Sequence, residues 1–566
     1  MTVIGIDLGT TNSLVSCWTE QGIQLIPNAL GSHLTPSAVS LGDDGEVIVG
    51  QIALERLITH PDRSAAVFKR YMGTSKTYRL GTRDFVPEEL SALVIQSLKA
   101  DAEHYLGHPV REAVISVPAY FSDAQRKATK RAGELAGLRV DRLVTEPTAA
   151  ALAYGIHLKD ADTKFLVFDL GGGTFDVSVL EMFDKVMEVR AVAGDNYLGG
   201  EDFTEMLVQL YLKHHSLTAA SLDPKQSALL YRQAELAKRS LGSERVATLT
   251  CAFEDGQKSF TVTMEQYEDA AKPLLNRLRE PIERALRDAS LKVKDLEAIL
   301  LVGGATKMPL IRSFVSRLFG QLAYSNNHQD EIVGMGAGVQ AHLLGQEAAF
   351  KEIILTDVCP YTLGTSISIR KSQGFIEEGH FFPIIERNTI IPVSKVERFF
   401  TMNDGQRGIR IDILQGESRL SKDNISLGEL NVPVPPKPAG QEAVDVRYTY
   451  DVNGLLEVEV MVLSTGTKKS IIIEKHPGHM SQAEIAGRIE ALSKLKVHPR
   501  DQQENRWLIA RSERLYEERI GEERNEIARL LRLFEDTLDR QEPRRIQEAR
   551  VQFKEALDQI ERGGLL

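Results

Sequence analysis

The sequence predicts a multidomain chain: an α/β region to about residue 350, an antiparallel β domain of ~115 residues, and a helical tail. Three observations predict it. Short apolar strands alternate with helical segments through the first part. From Cys359 to about Lys475 the hydrophobic period becomes two. From Met480 onward it returns to that of a helix, with apolar stripes set among Glu and Arg. At 566 residues the chain has room for roughly three to four domains of ~150 residues.

The α/β reading rests on strands at Val3–Asp7, Glu112–Val117, 165–168 and Ala298–Val302, and on helices at Pro87–Leu106, 123–136 and 223–241. The apolar stretch 352–358 admits two readings. It is either a buried strand or an interdomain linker that docks in one state and is released in another. Within the β segment, residues 409–413 and 444–450 alternate cleanly, Asn453-Gly454 suits a hairpin turn, and the proline-rich 432–439 reads as a loop. In the tail, Ser481-Gln-Ala-Glu484 forms a capping box ahead of Ile485, Ile489 and Leu492. A second stripe follows at Ile520, Ile527, Leu531, Phe534 and Leu538. By itself this tail reads as a small helical bundle.

Composition excludes several classes. An apolar fraction of 42% is that of a globular protein. The formal net charge of -11 argues against nucleic-acid binding through a general basic field. Cys17, Cys251 and Cys359 are far apart and lack C-x-x-C spacing, which predicts reduced thiols in a cytoplasmic protein, with no disulfide framework and no cysteine zinc site. The opening MTVIGIDLG has neither the basic n-region nor the long apolar h-region of a signal peptide, and no apolar run approaches the ~18 residues of a membrane helix.

The chemistry lies in two matched glycine hairpins. One is Ile4-Gly-Ile-Asp-Leu-Gly-Thr-Thr-Asn-Ser-Leu-Val15; the other is Leu166-Val-Phe-Asp-Leu-Gly-Gly-Gly-Thr-Phe-Asp-Val-Ser-Val-Leu180. Glycines weaken strands, so three at a hairpin tip mean that the backbone must be bare there. The self-similarity suggests one structural half duplicated, with two hairpins facing across a cleft. Gly9, Thr10, Gly171, Gly172 and Gly173 can offer N–H groups to a polyphosphate, and Thr10, Thr11 and Thr174 add hydroxyls. Asp7 and Asp169 are hard oxygen ligands suited to Mg²⁺. A third element, Ala298-Ile-Leu-Leu-Val-Gly-Gly-Ala-Thr-Lys-Met-Pro309, runs from a strand through Gly303 and Gly304, against which a nucleoside could lie. No G-x-x-x-x-G-K-[ST] is present, which disfavours a P-loop NTPase. His104 and His108 have helical metal-ligand spacing, but Gly107 and Pro109 predict that the helix stops between them. Glu201-Asp202 reads as a pair of solvated loop charges.

These residues resemble a known family. Residues 6–13, 169–178 and Gly194-Asp-Asn-Tyr-Leu-Gly-Gly-Glu-Asp-Phe203 are similar to the signatures of DnaK-type, seventy-kilodalton heat-shock chaperones, as are Ser116-Val-Pro-Ala-Tyr-Phe121 and residues 145–154. The similarity runs in order from Ile4 to about Ile489. Thr356-Asp-Val-Cys-Pro-Tyr-Thr-Leu-Gly364 and Pro383-Ile-Ile-Glu-Arg-Asn388 look most like the HscC branch. The resemblance implies an actin-like α/β ATPase domain over 1–351, an apolar linker at 352–358, a β-sandwich peptide-binding domain over 359–479 and a helical lid over 480–566.

It also implies roles. Gly9, Thr10, Thr11, Asn12, Gly171, Gly172, Gly173 and Gly199 fall in the phosphate-binding signatures. Lys69 matches the lysine that orients the attacking water, with Glu146 and Asp176 around that water and the cations, and Thr174 matches a family autophosphorylation site. Glu235, Lys238, Gly303, Gly304 and Asp330 match the adenosine pocket. Pro118 and Arg126 match a proline–arginine relay of nucleotide state, and Asp357 a linker aspartate tied to coupling. Thr365, Ile367, Phe399, Met402, Ile409, Ile411 and Val444 match the peptide cleft. The implied ligands are ATP, ADP and Mg²⁺, with K⁺ as an optional second cation. The implied partners are unfolded or specific client polypeptides and a J-domain co-chaperone, while use of a GrpE-like exchange factor stays open.

The sequence departs from the family in places. Lys307 stands where arginine usually stacks on adenine, and Ala305 and Gly242 replace two serines. Lysine stacks less well than a planar guanidinium, so weaker nucleotide affinity and faster exchange are expected. The abbreviated tail ends in Ile-Glu-Arg-Gly-Gly-Leu-Leu566, which predicts no acidic docking terminus and faster peptide exchange. The rival readings are an actin-fold metabolite kinase, a nucleotide-dependent scaffold protein and a nucleotide sensor with negligible turnover.

Overall fold

The computed structural model describes residues 2–42, 44–154, 163–183, 186–253, 256–324, 328–345, 354–370, 376–451, 455–473, 499–519 and 521–561. The expected turn at Asn453-Gly454, the capping box at Ser481, the stripe Ile485, Ile489 and Leu492, residue Ile520, and linker residues 352–353 lie outside them. The chain divides into two compact units, Met1–Pro360 and Tyr361–Leu566.

The first unit is built on two sheets that repeat one pattern. In the first, Val3–Asp7 pairs parallel with Glu112–Val117 and antiparallel with Asn12–Thr19, which continues to Gly22–Ile26. In the second, Thr163–Leu170 pairs parallel with Ala298–Val302 and antiparallel with Phe175–Phe183, which continues to Val186–Asp195. Each glycine tip therefore joins a central strand to its antiparallel neighbour, the same position in each half. The strands are apolar runs buried on both faces, as sheets covered by helices require. Helix 223–241 appears as Pro224–Ser240, with Asp223 accepting from Gln226 N at its N-cap. Helix Pro87–Leu106 ends at Gly107, φ 71°, so His108 is off the helix, where its Nε2 meets Thr2 Oγ1 at 3.3 Å.

Residues 354–358 form a strand, Ile354–Val358, that adds parallel to Val186–Asp195 in the register Val186↔Ile354, Met187↔Leu355, Glu188↔Thr356. Of the two sequence readings of this stretch, the conformation seen is the strand.

The second unit holds two four-stranded antiparallel sheets and a helical segment. One sheet has the order Ile376–Ile385, Leu363–Arg370, Gly408–Gln415, Ile425–Pro433; the other Val393–Phe400, Ala443–Tyr450, Leu456–Val462, Lys468–Ile473. Strict alternation places Val444, Val446, Tyr448, Val458, Val460 and Val462 in the core between them. Tyr448 Oη donates to Gly364 O at 2.9 Å, bonding one sheet to the other. The expected loop 432–439 starts late, because Val432 and Pro433 still belong to a strand whose edge tolerates proline. Helices Gln503–Glu518, Gly521–Asp539 and Pro543–Glu561 bury Leu508, Leu515, Ile527, Phe534, Leu538, Phe553 and Leu557, with Phe534 stacked on Phe553 at 4.6 Å.

Candidate functional site

The two glycine tips line a single cavity of about 470 Å³ in the first unit. Gly9, Thr10, Thr11 and Asn12 come from one tip, Gly171, Gly172 and Thr174 from the other. The glycines are required by space. A Cβ at Gly172 would overlap the Thr11 hydroxyl, and one at Gly199 would lie 2.5 Å from the Gly172 backbone. Gly173 and Gly199 stand behind the wall. Gly173 O accepts from Arg70 Nε at 3.0 Å, and Gly199 N donates to Asp202 Oδ2 at 2.7 Å.

At the neck, carboxylates crowd one lysine. Lys69 Nζ lies 3.0 Å from Glu146 Oε1, both side chains buried, and the lysine sits 5.5 Å from the Phe121 ring. Asp7 accepts from Ser116 Oγ at 2.6 Å; burial first, then the charge of Glu146, pushes its carboxyl up to about 6. Burial, with Glu146, Asp176 and Asp7 around it, holds Asp169 well above the usual carboxylate range. Asp169 Oδ2 is buried without a hydrogen-bond partner. Asp176 is pushed up to about 7 by burial and Glu146, against the pull of Tyr120 N, which donates to its Oδ1 at 2.8 Å. Burying this much negative charge is costly unless a cation joins it. Among the described residues no three metal-ligating side chains converge into a ready cage. An orphaned carboxylate oxygen beside Asp7, without a closed cage, fits Mg²⁺, which keeps several waters and takes few protein ligands.

Lys69 and Arg70 are presented by the short turn Phe68–Tyr71. Val67 ahead of it has φ 58° and ψ 19°, a left-handed conformation costing a β-branched residue about 1–3 kcal/mol. Buried Phe68 and Met72 on either side, and the Arg70–Asp202 ion pair, hold the turn in place.

The far end of the cavity is lined by Glu235, Lys238, Gly303, Gly304, Lys307 and Asp330. Lys238 bridges Gly200 O at 2.9 Å, Thr204 Oγ1 at 2.8 Å and Glu235 Oε2 at 2.6 Å. Burial raises the Glu235 carboxyl, but Lys238, Thr204 and Arg239 bring it below its ordinary value. Gly303 adopts φ 84°, and a Cβ there would run into Leu170 O. Lys307 pairs with Asp330.

Sequence reasoning missed part of this wall. Glu201 and Asp202 are not solvated loop charges: Glu201 lines the cavity, accepts from Thr11 Oγ1 at 3.1 Å and from Tyr231 Oη, and burial raises its carboxyl. Arg239, Gln329 and Leu34 also line it. A Glu-Asp pair following Gly-Gly at a helix start was the available signal for Glu201.

The remaining expected sites fall elsewhere. Arg126 Nη2 donates to Ala119 O at 3.0 Å and its Nε to Phe121 O at 3.3 Å, while Phe121 N donates to Pro118 O at 3.2 Å. That loop also carries Tyr120, so Pro118 and Arg126 share one backbone segment with the donor to Asp176. Asp357 lies on Ile354–Val358, where its charge acts on Arg142, whose guanidinium burial pushes down. In the second unit Val444 and Ile411 are buried, as is Thr365. Strand alternation turns Val444 and Ile411 toward the space between the two sheets. Ile367, Phe399, Met402 and Ile409 are half-buried, and Phe399 meets Phe382 edge-on at 5.5 Å.

A family model described as Hsp70 protein matches residues 3–79 and 76–563. The chain is 41% identical over 486 residues to the Chaperone protein DnaK of Thermotoga neapolitana, covering 83% of this chain and 80% of that one. It is 37% identical over 571 residues to the Chaperone protein DnaK of Thermosipho africanus, covering 96% and 93%.

Proposed function

The chain belongs to the Hsp70 family and is an ATP-dependent molecular chaperone with ATPase activity; on that premise we propose that its glycine-lined cavity binds ATP and ADP and that its β-sandwich binds extended apolar segments of client polypeptides. The observation that carries this reading is the neck of the cavity. Three buried carboxylates, the half-buried Asp7 and one lysine stand beside bare glycine backbone, an arrangement short of positive charge and rich in N–H donors.

In this reading the tips Gly9–Asn12 and Gly171–Thr174 hold the phosphates, and Lys238, Glu235 and Gly303–Asp330 hold the nucleoside. Asp7 and Asp169 hold Mg²⁺, which neutralises the phosphate charge that builds up during transfer, with K⁺ as an optional companion. Lys69, fixed by Glu146, orients the attacking water, and Asp176 assists it. Phosphoryl transfer needs mainly such positioning and charge neutralisation. Thr174 stands at the same neck, within reach of a transferred phosphate. Residues 1–351 form the nucleotide-binding domain, 352–358 the linker, 359–479 the substrate-binding domain and 480–566 the lid. The compact-unit boundary at Pro360 supports that division. Docking of 354–358 reports nucleotide state through Asp357, with Pro118 and Arg126 relaying it. A J-domain protein stimulates hydrolysis in the cytoplasm. No helix among the described residues is long and apolar enough to cross a membrane.

The test is fluorescence anisotropy of a labelled extended apolar peptide. Peptide held in ADP and released by MgATP is the expected result. Binding indifferent to nucleotide would break the coupling, and phosphate transfer to a sugar would restore the kinase reading.

A further inference from the structure

Gln541 stands between helices Gly521–Asp539 and Pro543–Glu561, almost fully buried, with φ 53°. Its Nε2 donates to Val396 O at 2.9 Å, and its Oε1 accepts from Val396 N at 3.2 Å. Val396 lies in Val393–Phe400, the end strand of its sheet. A donor and an acceptor placed together on both backbone groups of one residue is the pattern that a residue of an added antiparallel strand makes.

The alternation of the ladder turns the backbone groups of Arg398 and Phe400 to the same open side as those of Val396. Phe400 is 54% exposed, and Arg398 is held across the sheet by Asp445 at 2.7 and 3.0 Å. Burial pushes the Glu397 carboxyl up, Lys395 acts against it and Asp539 adds a smaller like charge; Asp539 is itself paired with Arg500 at 3.0 Å. Natural sheets block such edges with proline, bulges or covering elements. Among the described residues, the Gln541 side chain is what meets the outward backbone groups of Val396.

We propose that the outer edge of Val393–Phe400 is a strand-addition site for an extended polypeptide segment, and that Gln541 keeps it closed by occupying the Val396 position. The occupant is polypeptide because the carboxamide copies a peptide group and exposed Phe400 offers an apolar neighbour beyond it. The inference rests on polypeptide being this chain's ligand. It uses backbone groups, separate from the side chains expected to line the cleft.

The test is hydrogen–deuterium exchange at the Val396 amide in the full chain with ADP, read beside anisotropy of a fluorescein-labelled octapeptide of alternating valine and threonine. Wild type should protect Val396. Gln541→Ala should lose that protection at least tenfold, bind the octapeptide several-fold more tightly, and regain protection when it binds. Gln541→Asn, which tolerates positive φ but is one methylene short, should behave alike if the alanine variant folds poorly. Adding Val396→Pro, tolerated at an outward edge position, should abolish the gain. Octapeptide bound by Gln541→Ala with Val396 left unprotected would overturn the proposal while leaving the chaperone reading intact. Protection that returns with protein concentration alone would name a second copy as the occupant and equally overturn it. No binding by any variant would remove both.

Discussion

Lys69 Nζ stands 3.0 Å from Glu146 Oε1, and Asp7, Asp169 and Asp176 all feel the same lysine charge. Lys69 thus serves four carboxylates at the neck of the cavity, with Arg126 adding to its pull on Asp176. Lys69→Met should lower the single-turnover rate of ATP hydrolysis by 100-fold or more, since positioned charge carries most of this chemistry. Peptide binding in ADP should persist. A rate within fivefold of wild type would remove Lys69 from the reaction.

The same crowding sets a pH dependence. The carboxyls of Asp7, at about 6, and Asp176, at about 7, lie above the ordinary value near 4, so the folded state binds the extra protons. Their stabilising contribution is complete below about pH 4 and is lost as pH rises through 6 and 7. The melting temperature of nucleotide-free protein should carry this loss, on the order of 3 kcal/mol from Asp7 and about 4 kcal/mol from Asp176. Asp176→Asn should flatten it. Because a bound cation must displace these protons, the thermal shift given by MgADP should grow from pH 5.5 to pH 8. A shift constant over that range would contradict the assignment of Asp7 and Asp169 to the metal.

Lys307 is tied to Asp330 at the nucleoside end of the cavity. Its flexible ammonium gives a base little to stack on. Lys307→Arg should slow ADP dissociation several-fold, measured by stopped-flow release of a fluorescent ADP analogue. Equal rates would show that position 307 does not set exchange.

Asp357 offsets the burial that weakens Arg142. Asp357→Asn should leave basal ATP turnover within about twofold, while MgATP loses most of its power to release peptide. Full release by the variant would exclude Asp357 from coupling.

Val444 belongs to the core between the two sheets. Val444→Ala should cost about 2 kcal/mol in stability, the usual price of deleting buried methyl groups, as read by urea denaturation of the β unit's signal. Weakened peptide binding without lost stability would return Val444 to the cleft.

What the sequence disclosed and what it withheld follow from range. The glycine tips were readable because their peculiarity is local: bare backbone flanked by Asp and Thr has few structural uses. The strand 354–358 stayed ambiguous because its partner, Val186–Asp195, is distant in the chain, and apolarity does not distinguish a sheet position from a linker. Glu201 looked like a loop charge because its cavity contacts, to Thr11 and Tyr231, are non-local. Alternation gave two faces for residues 409–413 and 444–450 but not which one is the core; the burial of Ile411 and Val444 comes from the facing sheet. Gln541 gave no local signal, since its role exists only against Val396.

Among the described residues, the strand Ile354–Val358 meets Val186–Asp195 over three register pairs. A ladder that short has little room to unzip by degrees, because each rung lost gives up a large share of what offsets the segment's conformational entropy. The joint is made or broken, with little graded attachment between. If this joint couples the nucleotide cavity to the peptide site, as proposed, the coupling is digital, and a client would meet a chaperone that switches, not one that is tuned.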